Sequence, residues 1–296
     1  MRKAVLGATG AQVTVLGWGG QEIRDSDAET VRAVIGGALD AGLNVIDTAE
    51  CYGRSEELIG EAVADRRKEY LLFSKCGHEG MDGLPDWEPR MLERSIERSL
   101  ARLRTDVIDL MQLHTCSKEV LERGDVIEVL RAARRKGKVR WIGYSGDGEA
   151  ALFAVRCGAF DVLQTSLNIF DQESMARAIP AARERGMGVI AKRPLGNAVF
   201  RHAARPANPY HHEYWDRMRA LAYDFLHGTP EAAAETALRF TLSVEGVSTA
   251  IVGTSSPGRW KSNAALAEKG PLPAALVQEI RARWNEVSQG AWPGQN

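Results

Sequence analysis

The chain of 296 residues is short of cysteine, carries no excess charge of either sign and has no long apolar run. Its four cysteines, Cys51, Cys76, Cys116 and Cys157, show neither CxxC spacing nor histidines at zinc-site spacing. This argues against a disulfide frame or a structural zinc and leads to the expectation of reduced thiols in a cytoplasmic protein. Thirty-eight basic residues face 39 acidic ones, a formal net charge of -1, so the electrostatic footprint of a nucleic-acid binder is missing. The basic stretch 131–140 reads as a solvated helix end and turn. No run approaches the ~18 apolar residues of a membrane span and no leader-like pattern opens the chain, so neither membrane insertion nor export is expected. His211 and His212 have only Glu213 beside them, which does not make a metal site.

What is present is ordinary for a globular protein: 44% apolar and 26% charged residues. The length suits one α/β barrel, which needs about 250 residues. A turn at residues 8–11 suggests a hairpin, after which short β-branched strands alternate with helix-period segments. Strands are expected at 13–17, 44–48, 70–75, 107–114, 139–145, 161–166, 188–192 and 249–253. The helices between them include 120–134, 172–185, 230–242 and 257–268, and a terminal helix spans 273–287. Eight apolar strands, each covered by a helix, fit a (β/α)8 TIM barrel forming a single domain over 1–296. A dinucleotide-binding open sheet would need GxGxxG in its first turn, and Gly19-Gly20 lacks that spacing. One insertion, at about 197–228, follows the seventh strand and carries a possible helix at 213–225. On that side of a barrel it would cover the mouth, as a lid or as a packed structural flap. The tail after residue 288 has no pattern.

The chemistry gathers at strand ends. NVIDTAECYG runs from apolar residues straight into Asp47 and Tyr52, the next strand ends in Lys75 and the one after it in His114. Singly, Asp47 reads equally as a turn cap, Tyr52 as helix packing, Lys75 as a snorkelling chain and His114 as a rim histidine. Together they occupy three consecutive strand ends, which a barrel brings to one mouth. An ammonium near a phenol lowers its pKa, so Lys75, held by Asp47, would make Tyr52 a better proton donor, with His114 hydrogen-bonding the same oxygen. The set suits proton delivery to an oxygen on which negative charge develops. Later strand ends offer Ser145, Gln164, Lys192-Arg193 and the segment 253–259 before a helix N-terminus, a pattern that suits a large anionic ligand and equally a solvated loop.

The residues GLNVIDTAECYGRSEELIG (42–60), SKCG with Lys75, DLMQLH with His114 and the opening GATGAQVTVLGWGG closely resemble the aldo-keto reductase superfamily. The resemblance runs on to IVGTSSPGRWKSN and covers nearly the whole chain. It implies a (β/α)8 barrel that reduces a carbonyl substrate with NADPH, NADH being possible. It assigns Tyr52 as general acid, Lys75 as its modulator, Asp47 as the lysine's partner and His114 as the residue placing the carbonyl. By the same resemblance Ser145 and Gln164 hold the nicotinamide carboxamide. Arg259 contacts the adenosine 2′-phosphate, Asn263 the adenine, and Gly20, Leu195, Gly253 and Ser255 line the cofactor. Three departures stand out: Gly146 replaces an Asn, Lys192-Arg193 replaces a stacking aromatic and Ser, and Gly253 replaces a Lys. Lys192 and Arg193 could then pair with the pyrophosphate. The competing functions are a non-catalytic nicotinamide-nucleotide-binding sensor or partner subunit, and a barrel isomerase or lyase. The carbonyl substrate and the oligomeric state are not legible.

Overall fold

The structure is a computed structural model and describes residues 1–78 and 83–295. An antiparallel hairpin, β1 (Lys3–Val5) and β2 (Gln12–Thr14), precedes eight parallel strands. These are β3 (Leu16–Gly19), β4 (Val45–Asp47), β5 (Leu71–Cys76), β6 (Ile108–His114), β7 (Val139–Ser145), β8 (Val162–Ser166), β9 (Gly188–Lys192) and β10 (Val247–Gly253). Each pairs with its sequence neighbour and β10 closes on β3, Gly253 lying opposite Gly19. The (β/α)8 barrel with its N-terminal hairpin is therefore present. Around it lie α1 (Ala28–Asp40), α2 (Ser55–Val63), α3 (Pro89–Arg102), α4 (Lys118–Arg123), α5 (Asp125–Arg135) and α6 (Gly148–Arg156). They are followed by α7 (Glu173–Ala176), α8 (Ala178–Glu184), α9 (His212–Leu221), α10 (Pro230–Ser243), α11 (Pro257–Glu268) and α12 (Ala274–Ser288).

The departures from the sequence reading have local causes. The first barrel strand begins at Leu16 rather than at residue 13, because Val13 belongs to the hairpin. Between the two strands the Thr14 hydroxyl donates to the Leu16 carbonyl at 2.9 Å and its backbone N–H to Asn44 Oδ1 at 2.7 Å. The helix expected over 120–134 is two, split where Gly124 takes φ +79, a backbone only glycine adopts at low cost. The helix over 172–185 breaks at Arg177. Pro180 has no N–H and its ring would strike the carbonyl four residues earlier, so it is accommodated only in the first turn of a new helix. In the insertion, the helix expected at 213–225 runs from His212 to Leu221 and stops at Ala222, φ +45.

Three apolar clusters organise the molecule. The largest lies between barrel and helices. A second lies inside the barrel, where Leu6 and Val13 of the hairpin meet Val45, Phe73, Leu110, Val162, Ile190 and Ile251 from the strands. The hairpin is thus a plug in the N-terminal end. Gly7 approaches β9 so closely that a Cβ would fall 2.2 Å from the Gly188 nitrogen. The third cluster joins the insertion to the C-terminal helix through Tyr214, Leu221, Tyr223, Phe240, Ile280 and Trp284. The Tyr223 hydroxyl donates to the carbonyls of Ile169 at 3.0 Å and Ile280 at 3.1 Å. These contacts fit the packed flap, a reading that does not exclude lid behaviour.

One buried carboxylate gives the fold a pH dependence. Glu56 on α2 is fully buried, accepts from the Ser74 hydroxyl at 2.6 Å and lies 3.8 Å from Arg102. Burial raises its pKa from 4.5 to about 7, against the pull of Ser74, Ser99 and Arg102. A carboxyl whose folded-state pKa is raised contributes stability that is complete below its unfolded value and is lost as pH rises through the folded one. Glu56→Gln is therefore expected to match the wild type near pH 5 and to exceed it at pH 8, by on the order of 1–3 kcal/mol. Urea unfolding at the two pH values measures this, and a difference independent of pH would refute it.

Candidate active site

The barrel places Asp47, Lys75 and His114 at the C-terminal ends of β4, β5 and β6. Tyr52 follows in a turn where its N–H donates to the Ala49 carbonyl at 3.1 Å. Lys75 Nζ donates to Asp47 Oδ1 at 2.5 Å and to the Thr48 carbonyl at 2.8 Å. It lies 5.2 Å from the centroid of the Tyr52 ring. The His114 ring meets Tyr52 edge-on, centroids 5.7 Å apart. All four residues expected to carry chemistry thus meet in one cluster.

Electrostatics distinguish their states. Burial works against the Lys75 ammonium, yet Asp47 and Tyr52 outweigh it and hold its pKa above that of ordinary lysine. Tyr52 departs from the sequence reading. Burial pushes its phenol up to about 12, and the opposing pull of Lys75 is the smaller effect. Burial and nearby Lys75 drive His114 well below 6.5, so its imidazole is neutral at physiological pH.

A polar belt extends from this cluster. Asp47 Oδ2 accepts from Gln164 Nε2 at 2.9 Å and from Gln112 Nε2 at 3.5 Å, and Gln164 Oε1 accepts from the Ser145 hydroxyl at 2.9 Å. Ser145 and Gln164 are therefore wired to Asp47. On β9, Lys192 Nζ pairs with Asp147 Oδ2 at 2.9 Å. Burial and Arg193 lower its pKa to about 8 despite Asp147. Asp147 also accepts from the Thr165 hydroxyl at 2.6 Å and the Ser166 N–H at 2.7 Å. Arg193, at φ +56, donates from Nε to the Tyr210 hydroxyl at 2.7 Å and from Nη1 to the Ser166 hydroxyl at 2.8 Å.

The C-terminal tail, patternless in sequence, is a built part of this region. Arg193 Nη1 donates to the Gln295 carbonyl at 2.5 Å, and the Gln295 N–H donates to Asp171 Oδ2 at 3.0 Å. Arg217 donates to the Pro293 carbonyl at 2.7 Å and stacks on Trp284 and Trp292.

The remaining expected residues follow β3 and β9, end or follow β10, or lie on α11. Gly20 follows β3, where a Cβ would fall 2.5 Å from the Ser55 hydroxyl. Gly253 ends β10, and a Cβ there would fall 2.8 Å from the Glu22 side chain. Ser255 and Arg259 are exposed at the start of α11, capped by Ser256. Asn263 is buried one turn on, its Nδ2 without a hydrogen-bond partner among the described residues. Leu195 is half-buried after β9. In the stretch between Gly77 and Trp87, residues 79–82 lie outside the described residues. Next to them the Trp87 ring meets His78, centroids 5.1 Å apart. Among the described residues there is no cluster of three or more metal-ligating side chains, and no helix is long and apolar enough to cross a membrane.

Sequence reasoning missed Asp147, which followed Ser145-Gly146 at a strand end and carried the same signal as Asp47. It also missed His78, whose Nε2 lies 2.8 Å from the Thr115 hydroxyl, and Gln112 in the middle of a strand. Replacing Asp147 with Ala would strand the Lys192 ammonium and leave the Ser166 N–H without its acceptor. A loss of about 2–4 kcal/mol is expected in urea unfolding, with Asp147→Asn retaining part of it. Equal stability of both variants and the wild type would contradict this account.

Three comparisons bear on identity. The model of the Aldo/keto reductase family matches residues 15–285. L-galactose dehydrogenase of Arabidopsis thaliana is 26% identical over 314 residues, covering 97% of this chain and 96% of that one. D-threo-aldose 1-dehydrogenase of a Pseudomonas species is 28% identical, covering 92% and 94%. Among solved structures, the holo form of an aldo-keto reductase from Bacillus halodurans superposes with a TM-score of 0.84 at 25% identity, covering 96% of both chains.

Proposed function

The chain belongs to the aldo/keto reductase family of oxidoreductases, and from that premise we propose that it interconverts an aldehyde or ketone and its alcohol with NADPH, Tyr52 serving as the acid. The observation that carries this reading is a buried ammonium, Lys75 Nζ, shared between a carboxylate at 2.5 Å and a phenol ring at 5.2 Å. A binding protein has no use for a phenol beside an ammonium.

The residues present fit the cofactor. Ser145 and Gln164 would hold the carboxamide, and Lys192 and Arg193 would meet the pyrophosphate. Gly20, Leu195, Gly253 and Ser255 would line its length. Asn263, whose buried Nδ2 lacks a partner among the described residues, would face the adenine, and Arg259 the 2′-phosphate. When bound, the nicotinamide supplies the hydride to the carbonyl carbon or takes it from the alcohol.

The side chains handle the oxygen. Neutral His114 donates a hydrogen bond to it, and Tyr52 gives up its phenolic proton as negative charge develops there. A phenol with a pKa near 12 is a poor acid toward water, but an alkoxide is a stronger base than a phenolate, so the transfer runs downhill. Lys75 stabilises the phenolate that remains, and Asp47 keeps Lys75 charged and aimed. In the oxidative direction Tyr52 takes the proton back. The sugar names of two relatives make aldoses and their carbonyl forms the first substrates to test.

Tyr52→Phe is expected to lower kcat by about 10²–10⁴-fold while NADPH binding, followed by tryptophan fluorescence, changes less than twofold. Activity that survived this change would sink the mechanism. Arg259→Glu is expected to weaken NADPH at least tenfold, about 1.4 kcal/mol, and to leave NADH within a factor of about two. Equal losses for both cofactors would remove Arg259 from the 2′-phosphate.

A further inference from the structure

The turn bearing Tyr52 carries a second group into the mouth. Cys51 Sγ lies 3.3 Å from His114 Nδ1, within hydrogen-bond range for sulfur. The thiol comes from the loop after β4 and the ring from the end of β6, 63 residues later. The turn itself is held firmly. The Glu50 N–H donates to the Lys75 carbonyl at 3.2 Å. Its buried carboxylate accepts from Arg98 Nε at 2.7 Å and from the Arg98 Nη2 and Ser95 hydroxyl of α3. The Ser55 N–H donates to the Tyr52 carbonyl at 3.0 Å. Cys51 is therefore presented to the imidazole by a turn clamped on both sides.

His114 is held from its own side as well. Thr115 has φ +62, a conformation a β-branched residue adopts only under constraint, and its hydroxyl donates to the His114 carbonyl at 2.6 Å. His78 meets the His114 ring edge-on at 5.2 Å and engages the Thr115 hydroxyl through Nε2. The ring is thus fixed in place, but a neutral imidazole still has a choice: one nitrogen donates and the other accepts. Only the tautomer with its proton on the substrate-facing nitrogen can donate to a carbonyl oxygen.

We propose that Cys51 is a positioning residue that makes this choice, its S–H donating to His114 Nδ1 so that the ring proton stays on Nε2. The direction follows from the partners. Imidazole nitrogen is a strong acceptor, whereas thiol sulfur accepts weakly, so S–H donating to nitrogen is the better of the two arrangements. With Nδ1 engaged by the thiol, Nε2–H is the donor left for the oxygen that Tyr52 protonates. Cys51 does not touch the substrate in this scheme; it acts through His114. The inference rests on the proposed role of His114, and its main readout does not depend on turnover.

The test is the histidine tautomer in the substrate-free protein. Protein labelled with ¹⁵N-histidine, with His114 assigned by the loss of its signals in His114→Asn, reports the protonation of each ring nitrogen separately. The wild type is expected to show Nε2 protonated and Nδ1 as acceptor. Cys51→Ala is expected to let Nδ1–H appear, and Cys51→Ser, which keeps an O–H donor, to restore the wild-type pattern. In turnover, Cys51→Ala is expected to lower kcat/KM about 3- to 10-fold with NADPH affinity and thermal stability within the range of the wild type. Cys51→Ser should recover it to within about twofold. Nδ1–H in the wild type, or an unchanged tautomer in Cys51→Ala, would overturn the proposal. So would equal loss of activity and stability in both variants, the mark of a merely packed side chain. A protein inactive on every carbonyl but showing the expected tautomers would count against the proposed function and leave the Cys51–His114 pairing standing.

Discussion

An ammonium and a carboxylate can be buried together only if nearly every proton and oxygen of the pair finds a partner, and this requirement shapes the mouth of the barrel. Lys75 divides its donors between Asp47 and the Thr48 carbonyl, while the second oxygen of Asp47 is taken by Gln164 and, more distantly, Gln112. Removing either charge would leave the other buried without its counter-charge. The pair therefore commits four strands to fixed relative positions, since Asp47, Lys75, Gln112 and Gln164 come from β4, β5, β6 and β8. The groups that would hold a carboxamide are in this way mechanically continuous with those that would handle a proton.

A second charged cluster lies across the mouth and is built on different terms. Lys192 and Arg193 adjoin two aspartates, Asp147 and Asp171, and the latter has its pKa raised to about 7 by burial and by Asp147. The surplus of donors and acceptors here is met by backbone from the tail and hydroxyls from β8 rather than by a single tight pair. Here burial lowers a lysine to about 8 and raises an aspartate to about 7, whereas in the Asp47–Lys75 pair the lysine is held above its ordinary range.

Much of this was legible in the chain. The eight-fold alternation, the hairpin and the insertion follow from hydrophobic period and turn residues, and Asp47, Tyr52, Lys75 and His114 stand out because polar groups at the ends of apolar strands need a reason. What escaped has physical causes. Helix breaks at Gly124 and Arg177 depend on single backbone angles that an apolar stripe does not record. The direction of the Tyr52 shift depends on how much protein surrounds the phenol, a quantity set by the whole barrel and not by the neighbouring lysine alone. Gln112 and Asp147 do not stand out in the sequence, because the first sits inside a strand that reads as core and the second lies two residues beyond Ser145. The docking of Gln295 rests on backbone groups, which carry no residue-specific signal.

The hairpin at the opposite end gives the barrel a direction. Leu6 and Val13 stopper its floor against a layer of strand side chains, and Gly7 lies so tightly on β9 that no side chain fits between them. Among the described residues, the floor of the barrel is thus filled with apolar side chains. Asp47, Lys75 and His114 end their strands on the opposite side of that apolar layer, so a polar ligand meets them without having to cross it.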